Sequence, residues 1–516
     1  MPRTKKHTKK NNSLGLDLSN FFSKSKSKYK TQSKTNSKTQ SEKHSINKHL
    51  NRYFDNNILS IFYTFNAPLN TGLIKYNDKE SKYLIKNSLN NIKLTPSPSY
   101  NISTLEDSFK KVDSAFKTEI DLCRELKLLN NKGTGTDTID KKKFPHQVQY
   151  ATEDFARGMR DYINNRYVAS LPLKISNGFV KLWEILHTFK PMSPDAKKFR
   201  VFHMCESPGQ MIMCAKYFAE TKYPNIVDYD WTANSLNPYN PYVKKNFEAV
   251  PDTYGLIKKN PNKWLWGADN TGDITNTKNI KWLSKYINDK WLSKGESLDL
   301  ITGDAGTGSE SSALILQKLD LGQAIATVAC SSIGGNCIIK HFSPYITTNP
   351  ETLDATSFFI SYIYLYYITF EDVSIFKPYS SDLSSGEFYI IGKNFIGIDN
   401  SSLERLYKCL DNFKTNGAIF EKESLPETFI IQINNFIEQL SNSNINGIEK
   451  TNYLLNCYKE SKDKIKSKKM IVNTKKNKEK SITNKLLQCD KFLNSYNIET
   501  ILVPRYNQWI KLYEFE

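Results

Sequence analysis

A lysine stands at the end of an apolar run within "GGNCIIKHFSP", residues 334–344. The run Cys337–Ile339 predicts a buried strand, and Lys340 follows it directly. A desolvated ammonium is strongly disfavoured in a protein interior. Either the side chain of Lys340 therefore extends to water, or the chemistry of a site requires an amine at this position.

Three more charged residues occupy comparable positions. Asp304 ends the predicted strand "LDLITGD", Glu387 begins the strand in "SSGEFYIIG", and Lys181 lies in the amphipathic helix "GFVKLWEIL". Ligands of an open α/β sheet bind outside the carboxyl ends of its strands, so the four side chains could converge there. Each charge alone is more often a surface group, but together they predict a reactive cluster.

Two loops add candidates for ligand binding. In the turn "ESPG", Pro208 stiffens the backbone and Gly209 permits close approach of a ligand, while the next helix is expected to offer free N–H groups to an anion. An ordinary strand–helix turn is the alternative. In "WGADNTGDI", Asp269 and Asp273 could bind a base or a ribose, with an Asx-turn network as the alternative.

Strands and helices alternate between residues 171 and 395. The strand "FRVFHMC" precedes the helix "QMIMCAKYFAE", and the strands "NIVDYDW", "LDLITGD", "GNCIIKHF", "DVSIFKP" and "GEFYIIGKNF" follow. The segment "ATSFFISYIYLYYITF" favours a helix, although its β-branched residues and tyrosines are also compatible with a strand. The alternation predicts an α/β fold, a Rossmann-like sheet with helices on both faces.

Charge is unevenly distributed along the 516 residues, which carry a formal net charge of +19. Residues 1–48 contain 13 Lys and Arg against two acids, and residues 459–485 contain 11 Lys against three, so these two segments account for the whole excess. Such segments bind polyanions without reading sequence, or are merely solvated tails. We predict a disordered tail over 1–48, a mainly helical extension over 49–170, a catalytic domain over 171–398 and a helical region over 399–516.

The cysteine pattern and the hydropathy argue against zinc-binding, disulfide-stabilised, secreted and membrane-spanning proteins. The eight cysteines form no CxxC pair and no paired Cys/His cluster, so neither a zinc site nor a disulfide scaffold is expected. The N-terminal residues contain no apolar h-region and no apolar run reaches about 18 residues, so neither a signal peptide nor a membrane span is expected. We expect a cytoplasmic protein (host cytoplasm or virion if its source is viral), with the nucleus as the alternative; an Asn-, Lys- and Ile-rich composition fits an AT-rich genome such as that of a large DNA virus.

Seven motifs in order carry a family resemblance. They are "FVKLWEI", "FHMCESPGQMI", "WTANSLNPYN", "WLWGADNTGDI", "LITGDAG", "GGNCIIKHF" and "IFKPYSSDLSSGEFYII". With them, residues 171–395 resemble the FtsJ-like ribose 2′-O-methyltransferases, and the third and fourth motifs most resemble the Adrift-type enzymes that methylate capped mRNA. The resemblance covers under half of the chain.

The resemblance implies a catalytic tetrad of Lys181, Asp304, Lys340 and Glu387, with S-adenosylmethionine as methyl donor and no metal. A ribose hydroxyl must lose its proton as the methyl group arrives, so in-line positioning and a base are needed. We expect Lys340 to be the base and Lys181 to steady the developing oxyanion. Burial and a second lysine would lower the pKa of Lys340, and the two carboxylates would limit that fall.

Further assignments follow from the same resemblance. Pro208 and Gly209 are expected at the methionine end of the cofactor, Asp304 near the methyl group, Tyr229 at the ribose and Asp273 at the adenine amino group. The family often has a glycine where this chain has Gln210, whose side chain could narrow the methionine pocket. For Trp231, Trp264 and Trp266, stacking on an mRNA cap and burial in the core both stay open.

The predicted function is therefore RNA ribose 2′-O-methylation near the 5′ cap of mRNA. Capped mRNA or another RNA is the expected partner, other capping enzymes are further candidates, and no membrane is expected. Methylation of rRNA or another RNA, or a non-catalytic RNA-binding role, are the alternatives. A structural role in nucleic-acid packaging would leave the cluster at the strand ends without explanation.

Overall fold

The structure is a computed structural model that describes residues 103–130, 138–139, 155–167, 171, 174–306, 313–343, 355–381, 384–413, 419–420, 425–472 and 503–515. These ranges exclude the whole predicted tail 1–48, residues 49–102 of the predicted extension 49–170, and the basic residues 473–485. Within the described helices, none is long and apolar enough to cross a membrane.

Nine strands are described. They are β1 (Leu129–Asn130), β2 (Thr138–Ile139), β3 (Lys198–Met204), β4 (Asp228–Asn234), β5 (Trp264–Leu265), β6 (Leu300–Gly303), β7 (Asn336–Phe342), β8 (Phe370–Phe376) and β9 (Glu387–Phe395). The described α-helices are α1 (Ser103–Glu125), α2 (Phe155–Arg166), α3 (Asn177–Phe189), α4 (Gln210–Lys222), α5 (Pro241–Asn246), α6 (Leu256–Lys259), α7 (Thr277–Lys290), α8 (Ala313–Cys330), α9 (Ala355–Thr369), α10 (Asn400–Asp411), α11 (Glu427–Val472) and α12 (Val503–Leu512).

A seven-stranded sheet in the order β5-β4-β3-β6-β7-β9-β8 forms the centre. Strands β5, β4, β3, β6 and β7 are parallel, and β9 runs antiparallel to both of its neighbours. The chain leaves β3 toward β4 and β5 and then returns to β6 on the other side, so the topological switch point lies between β3 and β6. Because β9 is antiparallel, its first residue, Glu387, lies at the edge where the parallel strands end.

Two hydrophobic cores cover the two faces of this sheet. Along β3, Phe199 and Val201 pack with α3 and α4 in one core, while Phe202 and Met204 pack with α7, α8 and α9 in the other. The alternation follows from the two-residue period of a strand. The predicted α/β sheet with helices on both faces is therefore confirmed.

Several element boundaries differ from those predicted. The second strand was expected over "NIVDYDW", whereas β4 begins at Asp228 and continues to Asn234. The apolar residue Val227 suggested a strand but is 82% exposed, because it lies in the turn that joins α4 to β4. Helix α7 was not predicted, and "PETFIIQINNFIEQL" is only the first third of α11.

The last described segment packs on α3. Trp183 donates from its indole to the Tyr513 carbonyl at 2.9 Å, and the buried Glu184 carboxylate accepts from the Trp509 indole at 3.1 Å. Glu184 also accepts from the backbone N–H groups of Tyr379 and Ser380. The segment 503–515 is thus part of the core that positions α3, the helix that carries Lys181.

Candidate active site

Helix α3 delivers Lys181 to the first residue of β9. The Nζ atom of Lys181 lies 2.6 Å from Oε1 of Glu387, and the two side chains are 12% and 10% exposed. The Ser381 hydroxyl donates to the same carboxylate oxygen at 2.8 Å. This ion pair is therefore largely withdrawn from water and fixed by a third group.

A second ion pair joins the ends of β6 and β7. Lys340 Nζ lies 2.6 Å from Oδ1 of Asp304 and donates to the Asp304 carbonyl at 3.2 Å. The parallel register pairs Gly303 with Ile339, which places Asp304 beside Lys340. The Asp304 side chain is 32% exposed, so this pair faces solvent more than the first does.

The two pairs lie close enough to act on each other. Burial raises the pKa of Glu387, but the charges of Lys181 and Lys340 outweigh it and lower the pKa to about 2. The structure thus brings together all four side chains that the sequence placed at one mouth. Their catalytic roles stay predictions.

Buried Gln323 of α8 fixes the strand ends that carry the second pair. Its amide nitrogen donates to the Lys340 carbonyl at 2.9 Å, and its oxygen accepts from the Ala305 N–H at 3.1 Å. One side chain therefore holds both strand ends. It lies in a helix that the sequence showed only as apolar, so no signal indicated this role.

The turn after β3 differs from the expected anion site. The buried carboxylate of Glu206 accepts from the N–H groups of Met211 and Ile212 through Oε1, at 2.6 and 3.4 Å. It caps α4, so these N–H groups are not free for a ligand, and the expectation of an open helix terminus was wrong for them. Burial, and secondarily the negative charge of Asp304, raise the pKa of Glu206 well above its usual range.

Gly209 is required by the close packing of this turn. Its φ of 105° is one that residues with a Cβ rarely adopt, and a Cβ there would lie 2.4 Å from Cδ1 of Leu256. The adjacent Gln210 side chain is buried, and its oxygen accepts from the Ser176 N–H at 2.7 Å. Gln210 therefore anchors the turn to the start of α3.

Tyr229 does not reach the edge where the cluster lies. It is the second residue of β4, about 16 Å of strand away from Asn234, which closes it. Its ring stacks on Phe199 at a centroid distance of 6.3 Å. The residues that close β4 are Ala233 and Asn234. The assignment of Tyr229 to the cofactor ribose, which came from the family resemblance, stays a prediction that this position does not support.

The two aspartates of "WGADNTGDI" behave differently. Asp269 accepts from both the N–H and the hydroxyl of Thr271 and from the side-chain amides of Asn276 and Asn279, at 2.6–2.9 Å, so the Asx-turn alternative holds for it. Asp273 accepts only from Thr275 among the described contacts of its carboxylate. Burial and the charges of Asp273 and Asp304 raise the pKa of Cys205 to about 12. The amide of Asn234, which closes β4, donates to the Gly272 carbonyl at 3.2 Å, and this contact places the neighbouring Asp273 at the same edge as the tetrad.

The tryptophans are mainly core residues. Trp231 and Trp264 are buried and meet edge to face at 6.3 Å, while Trp266 is half-buried and stacks on Trp264 at 6.0 Å. For Trp231 and Trp264, the core alternative is therefore the correct one.

The edge offers acceptors that fit S-adenosylmethionine. Oε2 of Glu206 and Oδ1 of Asn234 are buried without a hydrogen-bond partner among the described residues. The cofactor carries an ammonium, an amino group and ribose hydroxyls, which are donors, so these acceptors and Asp273 match its chemistry. Within the described ranges, no group of three His, Cys, Asp or Glu side chains could hold a metal ion.

Lys377 is a charged residue of the site that the sequence did not single out. Its side chain is buried, and Nζ donates to the carbonyls of Ser385 and Glu387 at 2.6 and 3.0 Å. Its charge also lowers the pKa of Glu387. The available signal was the same as for Lys340, a lysine that directly follows an apolar strand, here in "SIFKP".

Comparisons with known proteins agree with this geometry. The sequence model of the FtsJ-like methyltransferases matches residues 175–395. The chain is 31% identical over 309 residues to "Uncharacterized protein L511" of Acanthamoeba polyphaga mimivirus, covering 58% of this chain and 36% of that one. It is 30% identical over 329 residues to "Probable methyltransferase EP424R" of an African swine fever virus isolate, covering 61% and 70%.

A third relative is more distant. "Cap-specific mRNA (nucleoside-2'-O-)-methyltransferase 2" of Danio rerio is 26% identical over 295 residues, covering 55% of this chain and 37% of that one. The chain thus spans little more than a third of two of these relatives and 70% of the African swine fever virus protein. The matched region, the sheet and the motifs agree, and the chain belongs to the FtsJ-like methyltransferase family.

Proposed function

We propose that the protein is an S-adenosylmethionine-dependent RNA ribose 2′-O-methyltransferase that acts near the 5′ cap of mRNA. The observation that carries this proposal is the pairing of Lys181 with Glu387 and of Lys340 with Asp304 at one edge of the sheet. Two amines and two carboxylates within one cleft suit the removal of a proton from a weakly acidic hydroxyl.

The chemistry assigns different tasks to the two lysines. When bound, S-adenosylmethionine supplies an activated methyl group. Lys340, once deprotonated, would take up the proton of the 2′-hydroxyl as the methyl group passes from the sulfonium sulfur, which is left as a neutral thioether, to the oxygen, and Asp304 would hold the resulting ammonium. Lys181 stays paired with the ionised Glu387 and stabilises the negative charge that develops on the oxygen.

The pKa of Glu387 supports this division. A carboxyl group with a pKa of about 2 stays ionised at all physiological pH values, so the partner of Lys181 is a permanent anion. Asp304 is more exposed, which leaves room for a substrate beside the Lys340 pair. The site therefore has one fixed pair and one that substrate can approach.

Two sequence motifs and the name of one relative support methylation near the 5′ cap. The segments "WTANSLNPYN" and "WLWGADNTGDI" form one unit, since the Asn237 N–H donates to the Thr271 carbonyl and the Asn240 amide donates to the Asn270 carbonyl. The relative from Danio rerio is named as a cap-specific enzyme. Capped mRNA and other capping enzymes are accordingly the proposed partners, and the cytoplasm is the proposed location.

A methyl-transfer assay tests the proposal. Capped RNAs with and without a methyl group on the first nucleotide, and matched uncapped RNA, are incubated with S-adenosylmethionine carrying a labelled methyl group. We expect label on the capped RNAs and little on uncapped RNA. Equal labelling of uncapped RNA would exclude cap dependence and favour methylation of another RNA, and no labelling of any RNA would favour a non-catalytic role.

A further inference from the structure

Three exposed aromatic side chains follow β4 at the edge that holds the tetrad. Tyr239, Tyr242 and Phe247 are 44%, 59% and 38% exposed, which is unusual for large rings that lie within ten residues of each other. The rings of Tyr242 and Phe247 meet at 6.1 Å with an interplanar angle of 61°. Together with Lys244 and Lys245, they form what we call the aromatic–basic surface.

The lysines of this surface are exposed and form no ion pair with another described residue. This holds for Lys244 and Lys245 of α5 and also for Lys258 and Lys259 of α6. Residues 237–260 contain these four lysines against Glu248 and Asp252 only. The surface thus carries a net positive charge beside exposed rings, a combination that suits a polyanion with stacking groups.

The aromatic–basic surface is rigidly mounted. Asn240 caps α5 by accepting from the N–H groups of Tyr242 and Val243, and its amide donates to the Asn270 carbonyl at 2.9 Å. Val243, a residue of α5 itself, is fully buried and anchors the helix. The backbone that carries the rings is therefore held in place before any ligand binds, which reduces the entropy lost on binding.

The same segment contacts the turn beside the tetrad. The Ser207 hydroxyl donates to the Val250 carbonyl at 3.0 Å, and Leu256 packs against Gly209. The surface and the candidate active site are thus parts of one edge of the sheet. A chain molecule that lies on the surface can continue into the cleft.

We propose that the aromatic–basic surface binds single-stranded RNA next to the methylated nucleotide. Tyr242 and Phe247 stack on unpaired bases, and Lys244 and Lys245 contact the phosphates. This inference rests on the proposed function, because it names the surface by which the same site holds its RNA. A protein with an apolar surface is a less suitable ligand. Such a surface would bury the four lysines without offering carboxylates to pair with them.

The first test measures RNA affinity by fluorescence anisotropy, without methyl donor, using a labelled single-stranded RNA of about 12 nucleotides. The full-length variant Tyr242→Ala/Phe247→Ala is compared with Trp282→Ala, which removes a ring that is 39% exposed on α7. We expect the double variant to bind at least about 30-fold more weakly, because it removes two stacking rings, and the loss to persist at high salt. All variants keep residues 1–48, so the difference is not due to that segment.

The second variant pair tests the charges. For Lys244→Ala/Lys245→Ala, the slope of log affinity against log salt should fall by about 1.4 in magnitude, since each phosphate contact contributes about 0.7 for single strands. The matched control Lys294→Ala/Lys408→Ala removes two exposed lysines from another part of the surface. Equal slopes in the two double variants would contradict the proposal.

Photocrosslinking gives a result that does not depend on substitution. RNA that carries 5-iodouridine should crosslink to the peptide containing Tyr239–Phe247, and crosslinks found only elsewhere would overturn the proposal and leave the surface to a protein partner. Methyl transfer by the unaltered protein is scored separately. Absent transfer would contradict the proposed function, whereas unchanged RNA binding in the variants would contradict the assigned surface.

Discussion

Replacing Lys181 by methionine should destabilise the protein as well as inactivate it. In the folded protein the pKa of Glu387 falls from its ordinary value of 4.5 to about 2, although burial alone would raise it. At about 1.4 kcal/mol for each pKa unit, this depression corresponds to about 3 kcal/mol of stability at neutral pH. The charge of Lys181 is the largest of the opposing influences, and its loss leaves a carboxylate that is only 10% exposed.

The loss of stability expected for Lys181→Met can be compared with the loss in a matched variant, Lys340→Met. Removing one partner of a buried ion pair costs about 3–5 kcal/mol, and Ser381 and Lys377 still contact Glu387 or its backbone, so we expect about 3 kcal/mol for Lys181→Met. Lys340→Met removes the partner of the more exposed Asp304 and should cost about 1 kcal/mol or less. Both variants should lose methyl transfer by about 100-fold or more.

The contribution of Glu387 to the free energy of unfolding depends on pH in a definite direction. Because the folded pKa of Glu387 is depressed, its contribution is fully present above pH 4.5 and is lost as the pH falls toward 2. In Lys181→Met that contribution is reduced or reversed, so the stability gap to the unaltered protein should be largest above pH 5 and should narrow below pH 4.5. Urea unfolding at neutral and acidic pH measures this gap.

A double variant separates stability from catalysis. Lys181→Met/Glu387→Gln removes the buried charge together with its partner, so it should recover much of the stability while staying inactive. Equal destabilisation by Lys181→Met and Lys340→Met, or a gap that does not change with pH, would refute the account of two unequal ion pairs.

Three further predictions concern the cofactor, the last described segment and the basic tail. Glu206→Gln should weaken S-adenosylmethionine binding about tenfold or more by calorimetry, because the ammonium of the cofactor, whose charge would offset the raised pKa of Glu206 and keep it ionised, loses a charged acceptor; unchanged affinity would exclude that contact. Glu184→Leu leaves buried N–H groups unpaired and should make the segment 503–515 more sensitive to limited proteolysis than in the unaltered protein. Deleting residues 1–48 should weaken RNA binding, most at low salt, while cofactor affinity stays the same; lost cofactor binding would contradict the tail assignment.

The sequence predicted the α/β sheet because its strands are buried on both faces and appear as continuous apolar runs. It also placed four charged side chains at one edge of the sheet. Asp304, Lys340 and Glu387 each lie where an apolar run begins or ends, and Lys181 lies on the amphipathic helix that precedes the first strand. What it could not show is the pairing of these residues. The antiparallel direction of β9 decides that Glu387 meets Lys181, and direction is not encoded in a local apolar pattern.

The remaining errors have local physical causes. An apolar but exposed Val227 shifted the predicted strand by three residues, so Tyr229 was expected near its end, although it is the second residue of β4. Glu206 looked like a turn residue, whereas its side chain folds back to cap α4. The aromatic–basic surface was missed because Tyr242 and Phe247 resemble core residues in sequence, and only the fold shows that the core has no place for them.

The position of the methyl group on RNA tests the central claim most directly. RNA methylated with a labelled methyl group is hydrolysed with alkali, which cleaves next to every free 2′-hydroxyl. We expect the label to remain in alkali-stable fragments in which the methylated nucleotide is still joined to its 3′ neighbour, because a 2′-O-methyl group prevents cleavage there. A folded Lys340→Ala variant should transfer no label. Label recovered in single nucleotides, or near-normal turnover by Lys340→Ala, would contradict ribose methylation by this tetrad.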